Sequence, residues 1–133
     1  MALSMSRSKE QKATTGFASA GEDFRNRRLD LNELLVRRPA STFFLRAAEE
    51  TDLCGGVRSG DLLVVDRALE PDFRAGSLVV LKSGGEMLLR VMLRRGGRLW
   101  LYSRASRAME AGSETDLRIF GVVTNVLHPL DSR

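Results

Sequence analysis

The chain has 133 residues, the length of one domain, and with 43% hydrophobic residues it can bury a core without help from metals or disulfides. Its single cysteine, Cys54, excludes an internal disulfide and points to a reducing, cytoplasmic compartment; no apolar run approaches the roughly 20 residues of a membrane helix, and the first residues lack the apolar middle of a signal peptide. The net charge of +4 comes from 21 basic and 17 acidic residues interspersed along the chain, which argues for a solvated surface rather than a nucleic-acid footprint, with Arg25, Arg27, Arg28, Arg37, Arg38, Arg94 and Arg95 as local exceptions.

Residues 1–23 are rich in small, polar and charged types with Phe17 as their one large anchor, and they read as a flexible N-terminal arm that cannot repay its own ordering entropy. Residues 24–133 form the folded domain. Asp30-Leu31-Asn32-Glu33 has the spacing of a capping box, Leu31, Leu34 and Leu35 share a helical face, and Pro39 stops the run, which predicts one short N-terminal helix.

Apolar runs of strand length follow: Thr42–Ala47, Leu62–Asp66, Ser77–Lys82, Met87–Leu93, Leu99–Ser103 and Leu117–Leu127. Ser83-Gly84-Gly85 and Arg95-Gly96-Gly97 have the chemistry of tight hairpins, so the middle of the domain reads as a meander. Gly55-Gly56 and Gly60-Asp61 bracket a sharp turn ahead of the apolar strand Leu62–Asp66. The expected fold is mostly β.

The residues Gly16-Phe17, Arg28 to Leu35, Pro39-Ala40, Thr42-Phe43-Phe44, Gly55-Gly56, Gly60 to Asp66, Gly85-Glu86 and Phe120 to Val123 stand in the order and nearly the spacing of UmuD. On them the chain resembles the LexA and UmuD autoprotease family over residues 16 to 127. The resemblance implies a compact β domain that works as a homodimer. In this family a serine nucleophile and a lysine general base cut the protein's own N-terminal segment under stimulation by the RecA filament, and trimmed UmuD joins UmuC, a Y-family polymerase, to copy damaged DNA.

The resemblance also locates the dyad. Counting back from Gly55-Gly56 puts Thr51-Asp52 where the family has Ser-Met, and counting on from Gly85-Glu86 puts Arg90 in place of the lysine. A serine–lysine dyad needs a desolvated, neutral amine as base, and a guanidinium stays protonated at any pH a protein tolerates. The chain's other candidate bases are Lys9, Lys12 and Lys82. The expectation is therefore a catalytically inactive relative in which Arg90 pairs with Glu50 or Asp52 across the old cleft. Aligned on Gly16-Phe17, the vestigial cleavage bond is Thr15–Gly16, and the short stretch before it resembles UmuD already trimmed.

Cys54 reads as an incidental thiol, since the one histidine, His128, lies beyond the last strand. Trp100 and Tyr102 read as a core and dimer face. No metal or cofactor is expected, because no ligand spacing or phosphate-binding glycine loop occurs. No helix-turn-helix pattern precedes the domain, so direct sequence-specific DNA binding is not expected. The leading expectation is a homodimeric accessory subunit of a UmuC-like translesion polymerase in the SOS response, with the RecA filament as a further partner. The alternatives are an active, RecA-stimulated self-cleaving peptidase and a regulator that forms mixed dimers with UmuD or LexA relatives.

Overall fold

The computed structural model describes residues 29–52, 54–103, 108–111 and 117–131. The arm and Thr15–Gly16 lie outside these residues. Two units are distinguished, one ending at Leu34 and one beginning at Leu35. At their boundary the helix α1 spans Leu31–Leu35. Asp30 caps it: the Asp30 carboxylate accepts the Asn32 amide at 2.9 Å, and the Asp30 carbonyl accepts the Leu34 amide at 3.1 Å. The capping expectation thus holds at Asp30, while Leu31 and Leu34 remain exposed.

A short 3-10 turn, Pro39–Ser41, leads into β1 (Thr42–Arg46), followed by β2 (Leu62–Asp66), β3 (Ser77–Ser83), β4 (Glu86–Arg95), β5 (Arg98–Tyr102), β6 (Met109–Glu110) and β7 (Leu117–Leu127). They form one antiparallel sheet in the order β1-β2-β7-β3-β4-β5-β6. The mostly β expectation and the meander, β3 to β6, are what the structure shows. β6 carried no sequence signal because two residues are too few for a periodicity.

The long final strand β7 inserts between β2 and β3 and so closes the sheet's centre. The centre is apolar on both faces. Leu63 and Val65 with Leu78, Val80, Leu89 and Val91 form one core cluster, and Val79, Leu81, Met92, Leu101 and Val122 form another. Coverage of both faces explains why β2 and β3 read as continuous apolar runs rather than alternating ones. Val64, Val65, Val79 and Leu81 are fully buried, each contributing about 1.5–3 kcal/mol of transfer free energy. Tyr102 packs against the first cluster, as expected of a core position.

β7 is bulged twice, where its pairing shifts opposite Val64/Val65 and opposite Val80/Leu81. At the second bulge the Phe120 carbonyl accepts Arg67 Nε at 3.0 Å, and the Arg67 guanidinium stacks 4.3 Å above the Phe120 ring. Among the described residues no helix is long and apolar enough to cross a membrane.

Candidate functional site

After β1 the chain turns back on itself before entering β2. Ala47 and Thr51 are the fixed points. The Ala47 amide donates to the Asp61 carbonyl at 2.8 Å, and Thr51 and Val57 exchange backbone hydrogen bonds of 3.1 and 2.8 Å. The apex of this turn holds Cys54, Gly55 and Gly56 at φ of 52, 89 and 91°, a left-handed run that glycine adopts without strain. That geometry is why two glycines follow Cys54, and it sets Thr51 at the foot of the turn with 5% of its surface exposed.

Arg90 lies on β4 opposite Val79. Its Nη1 donates to Glu49 Oε1 at 2.7 Å and to the Leu89 carbonyl at 2.7 Å, while Glu49 Oε2 accepts the Leu89 amide at 3.1 Å. The carboxylate set on Arg90 is therefore Glu49, and the expected partners Glu50 and Asp52 are corrected. Glu49 lies in the bend after β1, where no strand alternation fixes which neighbouring side chain meets β4. Glu50 turns instead to the Ser59 amide, 3.3 Å away, and Asp52 is exposed at the rim of the neighbouring cleft.

Lys82 stands on β3 between Met87 and Arg118 in register, with its side chain exposed. It is three residues along the strand from Val79, the residue opposite Arg90, or roughly 10 Å at the rise of a β-strand. The lysine of the described residues is thus displaced from the position where the resemblance asks for a base.

A cleft of about 1010 Å³ opens beside Thr51, lined by Glu50, Asp52, Arg58, Asp61 and His128 among others. His128 lies just beyond β7, the position expected of it past the last strand. The antiparallel pairing of β2 with β7 sets Leu127 opposite Leu62 and so returns His128 to Asp61, where Nδ1 and Oδ1 are 2.7 Å apart. Asp61 is buried and also accepts the Arg58 amide at 2.9 Å. That backbone hydrogen bond, aided by His128 and by the charge of Arg58, outweighs desolvation and holds the Asp61 carboxyl below its ordinary value. The histidine escaped sequence reasoning because pairing register, not spacing, brings it to the cleft.

Cys54 lies on the other side of the same turn, at a second cavity of about 460 Å³ that includes Gly76, Ser77 and Thr124. Its thiol is exposed, and the burial it does have pushes it up from its ordinary value, the wrong direction for a nucleophile. Among the described residues no three His, Cys, Asp or Glu side chains cluster as a metal site.

Comparison with known proteins agrees with this architecture. Residues 9–124 match the family model Peptidase S24-like. The chain is 41% identical over 118 residues to Protein ImpA of Salmonella typhimurium, covering 88% of this chain and 79% of that protein. It is 36% identical over 123 residues to Protein SamA of Salmonella typhimurium strain LT2, covering 89% and 81%, and 35% identical over 85 residues to Protein MucA of Escherichia coli, covering 64% and 57%. These relatives are UmuD-like proteins. With a family model matched over most of its length and relatives this similar, the chain belongs to the Peptidase S24-like family of LexA and UmuD.

Proposed function

We propose that the protein is a UmuD-type accessory subunit of SOS mutagenesis, a homodimer that binds a UmuC-like Y-family polymerase and does not cut itself. One observation carries the reading: Arg90, which the resemblance puts in place of the general base, is paired with Glu49 at 2.7 Å. A guanidinium stays protonated and cannot take a proton from a hydroxyl, so Arg90 cannot serve Thr51 as a general base. The fold then serves as a binding surface. The relatives' UmuD-like character supports the functional setting.

The test is intact mass after incubation of the purified protein at alkaline pH, and again with RecA, an ATP analogue and single-stranded DNA. The expected mass is unchanged, while a UmuC-like polymerase co-purifies with the tagged protein. A species beginning at Gly16 would overturn the reading.

A second reading rests on the shared cleft of Thr51 and His128. With Asp61 orienting its ring, His128 is the general base of a threonine peptidase in this reading. It requires self-cleavage that both Thr51→Ala and His128→Ala abolish.

A further inference from the structure

Among the described residues, β5 pairs with β4 only from Val91 to Arg95, and the residues from Glu86 to Arg90 continue past that ladder. Along a strand the backbone groups of alternate residues face the same edge, so Leu89 presents its amide and carbonyl on the side where Val91 meets Tyr102. At Leu89 these groups are met by side chains: the amide by Glu49 Oε2 at 3.1 Å and the carbonyl by Arg90 Nη1 at 2.7 Å. One carboxylate thereby performs two tasks of an added strand. It accepts the edge amide, and it holds the guanidinium that covers the edge carbonyl.

We propose that Glu49 is a tethered competitor for this edge, an autoinhibitory contact that closes β4 at Leu89 to an extended peptide. A peptide strand seated there needs its own carbonyl on the Leu89 amide, and Glu49 already holds that position with a charge-assisted bond. Glu49 is anchored at one end by the turn after β1 and at the other by Arg90. The pair is partly exposed, at 36% for the Glu49 side chain and 21% for Arg90, so it can be displaced without unfolding the sheet. The inference rests on the proposed function and deepens it: beside an Arg90 that cannot act as a base, the strand edge is also closed to an incoming peptide.

The probe is a fluorescein-labelled synthetic peptide with the sequence of residues 8–24 of this chain, titrated into the full-length protein and read by anisotropy. Glu49→Ala is expected to bind it about tenfold more tightly than the unaltered protein, the scale of one charge-assisted hydrogen bond. Glu49→Gln keeps an oxygen for the Leu89 amide and is expected to stay within about threefold of the unaltered protein. Exchange of the Leu89 amide, followed by NMR, is expected to accelerate in Glu49→Ala and to slow again when peptide is added. Where Glu49→Ala fails to fold, Arg90→Gln replaces it, and its expected gain is smaller because the carboxylate remains. Equal affinities for the unaltered and substituted proteins, or no binding by any of them, would overturn the proposal. Cleavage of the peptide or of the protein itself, read by mass in the same samples, counts against the accessory-subunit reading and leaves the edge closure standing.

Discussion

Asp61 and His128 are 67 residues apart in the chain and 2.7 Å apart in the structure, a contact that ties the end of β7 to the start of β2. The Asp61 side chain is 3% exposed and the His128 ring 45%, so the buried partner carries the energetic weight.

Acid is the first probe of that asymmetry. Asp61 and Asp66 both titrate below the ordinary carboxylate range in the folded protein. At Asp61 the Arg58 amide is the main cause; at Asp66 burial pushes up, but the Ala68 amide, Ser41 and Arg38 together outweigh it. A depressed folded value means stability that is fully present above the unfolded pKa of about 3.9 and is lost as pH falls through the folded values. Urea midpoints are therefore expected to owe little change to these groups between about pH 7 and 5, and to fall below about pH 4. Asp61→Asn is expected to be less stable at neutral pH and to show a shallower loss in acid. His128→Ala is expected to cost under about 1 kcal/mol, because its ring is half exposed and the Arg58 amide stays in place.

The polar centre at Asp66 separates a hub from its spokes. Its carboxylate accepts Arg38 Nη1 at 2.5 Å, Ser41 Oγ at 2.9 Å and the Ala68 amide at 2.9 Å. Asp66→Ala removes the acceptor from all three at once, and the loss is expected at about 2–3 kcal/mol. Arg38→Ala is expected to cost less, since Arg38 is half exposed and the carboxylate keeps two donors. Equal losses in urea titrations of the two variants would contradict this hierarchy.

Gly121 shows a backbone approach that no turn demands. A Cβ at this position would stand 2.6 Å from Val65 Cγ1, 3.1 Å from the Asp66 carbonyl oxygen and 3.3 Å from Arg67 Cα, where β7 crosses the end of β2. The Val65 methyl is itself fully buried and has nowhere to retreat. Gly121→Ala is expected to cost about 1–3 kcal/mol by overpacking. In thermal melts that corresponds to about 3–5 °C for each kcal/mol, between the values for smaller and larger domains.

The strands were legible because apolar runs and glycine turns stand directly in the sequence: Leu62–Asp66 and Leu117–Leu127 have the bounds read from the residues alone. The hairpins at Gly84-Gly85 and Gly96-Gly97 were legible for the same reason, since all four glycines take positive φ. What stayed hidden depends on pairing between distant segments. Glu49 rather than Glu50 meets Arg90 through the bend after β1, whose course no local pattern describes. His128 reaches Asp61 only once β7 is known to lie beside β2, and a final strand inserted at the centre of the sheet is not encoded in any local pattern.

Rebuilding a serine–lysine dyad at Thr51 and Arg90 is the most direct check on the proposed function. Thr51→Ser alone supplies a less hindered hydroxyl but no base, and is expected to leave the intact mass unchanged. Adding Arg90→Lys supplies an amine, yet Glu49 sits 2.7 Å from the present guanidinium and is placed to pair with the new ammonium, favouring its charged form. The double variant is therefore expected to cleave slowly at most. Glu49→Gly in the same chain removes the counter-charge and reopens the Leu89 amide. The triple variant is expected to release a species beginning at Gly16 at alkaline pH, faster than the double variant by about 10²–10⁴, the range of a working general base. Time courses of intact mass for the single, double and triple variants give this ordering. An unchanged mass in the triple variant would count against Thr51 and Arg90 as the positions of the dyad.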